Sequence, residues 1–285
     1  MTEDLIKEAY GEVKQQCRVD LKSNAAGCAI LQLALKSLTF LVNECQQTNL
    51  VSCVPEKKYF SFRKDNIVAR PANKEFFLLC PDAVSRLWER WQAETITTVE
   101  FGQLTYTVAL APCLALEIFD RQNKKGPATF FECYVGHLFA RAVSVNPTKR
   151  ARLPVHGRDV LMTMDFLMDI GRKKVHLPVK MSSRERVVQA WAHQRLLNEA
   201  YRSHAYQGIM VLFSETKLDS RSLKVVEICV PDQWLVYQSL LARMDRIYYF
   251  DIPVRYQKLM QQFPNLISIK QFGEFFSERE EILHS

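Results

Sequence analysis

Gly171-Arg172-Lys173-Lys174 separates two apolar, β-branched runs, Val160 to Ile170 and Val175 to Lys180. Runs of that composition divided by a short, glycine-led polar turn predict a β-hairpin. Folding the runs about Arg172 and Lys173 sets Asp165 opposite Lys180 and Asp169 opposite His176. Cross-strand partners share a face and bring their Cβ atoms within about 5 Å. An acid and a lysine therefore project together from one end of the hairpin. The arrangement satisfies an ordinary cross-strand ion pair. It also suits phosphodiester hydrolysis. A carboxylate holds Mg2+, the ion activates a water, and an ammonium stabilises the charge that develops.

Past the hairpin, apolar runs alternate with helical periodicity. A helix is predicted over 183–201, strands over 209–213 and 225–230, a helix over 232–244 capped by Asp232, a strand over 247–252 and a helix over 254–263. Such alternation predicts an α/β fold with a mixed central sheet flanked by helices. Residues 1–48 keep near-helical apolar spacing. Val84, Leu87, Trp88 and Trp91 mark a helix over 82–93 with Asp82 as its cap. Thr97 to Val108 is β-branched and aromatic and predicts strands. Thr129 to Ala142 reads as a helix, and 146–158 as a loop. The chain thus divides into a helix-rich region over 1–120 and a core over 121–285.

Bulk properties exclude several classes. Of 285 residues, 48% are hydrophobic and 24% charged, as in ordinary folded domains. No uninterrupted apolar stretch reaches the roughly 18 residues of a membrane span. The start, Met-Thr-Glu-Asp, lacks the apolar region of a signal peptide, so a cytoplasmic location and no membrane partner are expected. None of the eight cysteines forms a CxxC pair, which argues against zinc. A net charge of +7 favours a polyanionic partner.

Two groups of residues suit such a partner. Arg184 and Arg186 flank Glu185; arginine pairs with guanine O6 and N7, and glutamate accepts from cytosine N4. Ser182-Ser183-Arg184-Glu185 also has the form of a capping box, as does Thr129-Phe130-Phe131-Glu132, so both glutamates have a structural alternative. Lys149, Arg150, Arg152 and Arg158 suit phosphate contacts, or an ordinary solvated loop. Trp191 and Trp234 fit the core better than a stacking platform. Glu215-Thr216-Lys217 reads as a polar strand end.

Asp165, the run Pro178-Val179-Lys180 and Ser183-Arg184-Glu185-Arg186-Val187-Val188-Gln189 resemble the PD-(D/E)XK superfamily of type II restriction endonucleases. The resemblance is to the EcoRII-like and NgoMIV-like branch, which reads sites containing C·G pairs. Gly126-Pro127-Ala128-Thr129-Phe130-Phe131-Glu132 resembles that branch's helix with Gly and then Phe-Glu. The match covers about residues 126–200, and no motif matches within 1–120. It implies a restriction-endonuclease-like fold and Mg2+-dependent cleavage of double-stranded DNA. Asp165 would hold the ion, Lys180 would orient the attacking water, and Glu132 would order the ion's water shell. Arg184, Glu185 and Arg186 would read C·G pairs. The superfamily's second acid would stand at Pro178 or, in this branch, on the following helix at His193, with Gln194 next. Neither is a carboxylate, and imidazole is a poor donor for Mg2+. Asp165, Glu132 and the Val179 carbonyl are then the oxygen donors left, with His193 a nitrogen alternative.

The resemblance further implies a homodimer, or two different subunits for an asymmetric site, and a cognate DNA methyltransferase as genetic partner. A nuclease-like fold that binds DNA without cutting, working with a partner, is the second reading. A plain interaction protein is the third.

Overall fold

The computed structural model describes residues 2–120, 122–123, 125–171, 173–183, 187–201 and 205–284, the last five by backbone alone. These residues form two compact units.

The first unit comprises residues 1–138 and 216–228. It opens with α1 (Thr2–Val19) and α2 (Asn24–Glu44), separated by a turn in which the Ser23 hydroxyl accepts the Ala26 N–H. β1 (Gln46–Ser52), β2 (Tyr59–Lys64), β3 (Ile67–Val68) and β4 (Ala72–Asn73) follow, then α3 (Pro81–Gln92). Asp82 does not cap α3. Pro81, with its fixed φ and no N–H to satisfy, takes the first helical position, and Cys80 precedes it.

Residues 97–108 are not strands. They belong to α4 (Thr98–Phe119), a helix whose every residue from Leu104 to Ile118 is buried. A helix buried all round has no polar stripe, so its periodicity is invisible and its β-branched content misleads. Thr97 and Glu100 form a capping box that starts it. Both α2 and α4 are long and apolar enough to cross a membrane, but 94% of the most apolar window of α4 is buried inside the fold, as in a core helix.

α5 (Lys125–Val143) crosses the division between the units. The second unit holds residues 139–215 and 229–285. Its strands are β5 (Thr148–Val155), β6 (Arg158–Ile170), β7 (Lys173–Leu177), β8 (Val179–Lys180) and β9 (Tyr206–Leu212), with α6 (Val187–Tyr201) before the last. β10 (Thr216–Leu218) and β11 (Lys224–Glu227) return to the first unit, where β11 lies parallel to β1. The predicted strand near 225–230 therefore joins a different sheet from its neighbours in sequence. α7 (Pro231–Val236), a π-helical turn (Tyr237–Leu241), β12 (Arg246–Tyr249), α8 (Val254–Gln262), β13 (Ile269–Gln271) and α9 (Phe275–His284) complete the second unit. Asp232 does not cap α7: Val230 precedes a helix that starts, like α3, on a proline.

The second sheet runs β13-β12-β9-β7-β6-β5, with β8 continuing the β7 position beside β9. β5, β6 and β7 are antiparallel, while β7, β8 and β12 are each parallel to β9. α6 covers one face: Val187, Ala190 and Trp191 join Met210 and Leu212 of β9 and Ile247 and Tyr249 of β12 in one buried cluster. Trp191 and Trp234 are core residues with ring centroids 5.2 Å apart. Tyr248, on the alternate face of β12, meets Phe272 and Phe275, and Phe275 stacks at 4.0 Å on Phe139.

If α4 is a capped helix, Thr97→Ala removes a cap and lowers unfolding stability by about 1 kcal/mol. Urea denaturation measures this; a strand at the same place would lose far less.

Candidate active site

The β6–β7 hairpin exists in a register different from the predicted one. The ladder closes at Ile170↔Lys173 and runs to Phe166↔Leu177. Gly171 has φ +68°, a left-handed conformation that favours a residue without Cβ, and it moves the turn one position earlier. Asp169 consequently lies opposite Lys174, with a 3.9 Å ion pair at the surface, and not opposite His176. Asp165 and Lys180 are no longer directly opposed. The register has shifted by two residues in total, and a shift of two keeps every side chain on its face.

The pair survives because the strand is interrupted between its members. Pro178 has no N–H and separates β7 from β8, while its carbonyl accepts the Val211 N–H at 2.9 Å. The next N–H, that of Val179, donates to Asp165 Oδ2 at 3.0 Å. Lys180 Nζ donates to the same oxygen at 2.5 Å. On the other side, Thr148 pairs with Leu167 but Arg150 pairs with Thr163. β6 thus carries extra residues opposite this step, with Asp165 among them. Bulges re-aim side chains and recur beside active sites. Asp165 and Lys180 have side chains 23% and 24% exposed, accessible yet shielded enough for their attraction to exceed that of a surface pair.

A polar layer from α6 lies over the same face. His176 and Lys180 are four positions apart, and their β9 partners are Gly208 and Leu212. His176 is wholly buried, its Nδ1 2.9 Å from Gln194 Oε1. The Gln194 amide nitrogen donates to Tyr206 O at 2.8 Å and to Asn198 Oδ1 at 3.0 Å. A Cβ at Gly208 would stand 2.9 Å from Gln194 Oε1, so a glycine there lets helix and sheet approach closely. The ring of His193 lies 6.2 Å from that of His176. Burial pushes the His176 imidazole down to about 4 and lowers that of His193 as well. Asp165 and Lys180 are close enough to act on both rings, with opposite effects. Among the described residues no three of His, Cys, Asp and Glu gather as a metal cluster.

The remaining predicted residues fall as follows. Arg184, Glu185 and Arg186 lie outside the described residues. Ser183, just before them, is buried and its N–H donates to Glu215 Oε1 at 2.7 Å. The Tyr249 hydroxyl donates to the same oxygen at 2.7 Å, and the Tyr256 hydroxyl lies 3.2 Å from Ser183 Oγ. Glu215 is therefore a buried carboxylate tying down the approach to α6, and not a polar strand end. It stands two residues past the apolar run Ile209 to Phe213, and nothing local in the sequence distinguishes it from a polar strand end. Lys149, Arg150 and Arg152 do not sit on a loop. They are exposed on β5, where Ala151 and Leu153 alternate with them and are buried; Arg158 begins β6. Lys149 Nζ stands 4.7 Å from the Phe166 ring centre. Glu132 is half-buried on α5, in the first unit. α5 begins at Lys125, so Thr129 and Glu132 are inside the helix and form no capping box.

No protein-family model matches the chain, and no curated protein does. Solved structures do. The type IIP restriction endonuclease Kpn2I superposes with a TM-score of 0.83 at 21% identity, over 98% of each chain. A complex of the restriction endonuclease PspGI with substrate DNA gives a TM-score of 0.45 at 11% identity, over 71% of this chain and 92% of that one. The first likeness spans both units. The chain therefore has a restriction-endonuclease fold, with the mixed sheet and flanking helices described above.

The buried His176 links stability to pH. Its folded pKa lies below the ordinary 6.5, so the unfolded chain binds more protons between about 4 and 6.5. Stability is held above that window and lost as the pH falls through it, by a few kcal/mol at most, on the order of 1.4 kcal/mol per pH unit. Urea midpoints measured across the window will fall steeply for the native chain and less steeply for His176→Gln.

Proposed function

We propose that this chain is a type II restriction endonuclease that cuts double-stranded DNA at a defined site containing C·G pairs, with a divalent cation. The observation that carries the reading is the meeting of Lys180 Nζ and the Val179 N–H on one oxygen of Asp165, at the strand interruption of a restriction-endonuclease fold. Kpn2I, which shares that fold, is a type IIP restriction endonuclease.

The donor set meets the minimum for Mg2+, which binds through one or two carboxylates, water and substrate phosphates. The Val179 and Lys180 hydrogen bonds both fall on Oδ2 of Asp165, and the side chain keeps a solvent-facing part. Asp165 would hold the ion. When bound, the ion supplies an activated water and neutralises charge on the scissile phosphate. Lys180 performs the remaining electrostatic work. Its ammonium is fixed by Asp165, so it can orient a water and stabilise the growing phosphorane charge without reorganising. The Val179 N–H fixes the carboxylate in turn.

Recognition is assigned to Arg184, Glu185 and Arg186, which would read C·G pairs by the pairing of arginine with guanine and glutamate with cytosine. The exposed arginines of β5 would grip phosphates, giving affinity without sequence information. A homodimer reading a two-fold site, a cytoplasmic location and a cognate methyltransferase belong to the same proposal. One observation favours a second reading, a DNA-binding subunit that does not cut: the α6 positions expected to supply a second acid carry His193 and Gln194.

Digestion of a mapped plasmid with and without divalent cations tests the choice. The expected result is a discrete set of fragments with identical end sequences, and a drop in rate of about 100-fold or more for Asp165→Asn and for Lys180→Ala. Gel shifts without cutting under any divalent cation support the second reading. Arg150→Ala with Arg152→Ala should weaken binding alike for all sequences and reduce the slope of log affinity against log salt by about two.

A further inference from the structure

Within the first unit, α1 and α5 touch at Tyr10. Its hydroxyl donates to Gly126 O at 3.2 Å, across 116 positions of sequence, and it also hydrogen-bonds with Thr129 further along α5. Cys17 follows Tyr10 on α1, and Cys133 follows Gly126 on α5, so the two cysteines are the same 116 positions apart. Each stands about two helical turns past its tyrosine or glycine, so helices packed side by side repeat the first contact at the second pair. The repeat is present: the Cys17 and Cys133 thiols are hydrogen-bonded to each other. Both side chains are half-buried, within reach of a small solute. Sulfurs in such contact need only a small approach to reach the roughly 2.05 Å of a disulfide.

The other thiols lie differently. Cys28, Cys53 and Cys80 are exposed. Cys113 is buried, and its Sγ donates to Ala109 O at 3.2 Å. The bond to Cys133, together with burial, pushes the Cys17 thiol up. Thiolate is therefore scarce at the pair near neutral pH, and slow reagents leave it reduced.

We propose that Cys17 and Cys133 form an oxidation site, closed to a disulfide by a hydroperoxide and reopened by a thiol reductant. One sulfur, as thiolate, attacks the terminal peroxide oxygen; the O–O bond breaks, water or an alcohol leaves, and a sulfenic acid remains. The second sulfur gives up its proton and attacks the sulfenic sulfur. The S–O bond breaks, and the oxygen departs as water with that proton. Two thiols lose two hydrogens and two electrons, and hydrogen peroxide becomes two waters. The product ties the N-terminal helix to α5. In a reducing compartment such a bond is transient and reports the presence of oxidant. The inference is independent of the nuclease reading.

The test exposes the whole folded chain to hydrogen peroxide, blocks the remaining thiols with N-ethylmaleimide in denaturant, and maps the digested peptides by mass spectrometry. The expected result is a linked pair of peptides holding Cys17 and Cys133, two hydrogens lighter than their sum and separated by dithiothreitol. It should form at least tenfold faster in the folded chain than in urea, where the helices no longer hold the sulfurs together. The urea midpoint should rise on oxidation, because the link closes a long loop in the unfolded chain, and should return on reduction. Neither change should occur in Cys17→Ser or Cys133→Ser. Should a serine variant fail to fold, Cys17→Ala or Cys133→Ala replaces it, and the peptide map of the native chain stands by itself. Free Cys17 and Cys133 at a peroxide dose that oxidises Cys28, Cys53 or Cys80 overturns the inference. So does a sulfinic acid at either residue without the link, or a link formed equally fast in urea.

Discussion

One oxygen of Asp165 receives the Val179 N–H and the Lys180 ammonium, and the geometry around the candidate site depends on that convergence. It exists because Pro178 stops the β6–β7 ladder. A strand that continued regularly would have spent the Val179 N–H on a neighbouring carbonyl. The carboxylate takes the place of that carbonyl, and Lys180 follows one residue later. Charge-assisted bonds of this kind are roughly twice as strong as neutral ones. The side-chain pair is thus held by backbone as well as by charge, which gives it a fixed geometry that flexible surface pairs lack.

The site sits between two kinds of support. Below, the parallel strands β7, β8 and β9 carry His176 and Lys180 on one face. Above, α6 approaches closely over Gly208 and contributes Gln194 and His193. At the far end, Glu215 receives the Ser183 N–H and the Tyr249 hydroxyl, pinning the chain that leads into α6. These polar contacts are buried, so each is costly to break. Together they give the acid–lysine pair a rigid surround.

Much of this is legible in the sequence, for identifiable reasons. The hairpin is readable because strand alternation and a glycine-led turn are local signals. Sequence reasoning sets the turn one position late; the even shift in register keeps Asp165 and Lys180 on one face, and the strand interruption at Pro178 lets them meet. α4 reads as strands because a helix buried on every side shows no period. The basic residues of β5 read as a loop: the alternation of Arg150 and Arg152 with Ala151 and Leu153 is strand-like, but Pro147 and Pro154 suggest irregularity. The return of β10 and β11 to the first unit is not readable, since parallel pairing of β11 with β1 spans most of the chain. Glu215 and His176 owe their roles to buried partners distant in sequence, which composition does not reveal.

A double-mutant cycle tests most directly whether Asp165 and Lys180 act as one unit. Rates of DNA cleavage would be measured for the native chain, Asp165→Asn, Lys180→Ala and the double variant. Residues that act together are strongly non-additive. The account predicts that the double variant is no slower than the slower single variant, within a few-fold. Losses that multiply, or cleavage that survives both substitutions, would contradict it.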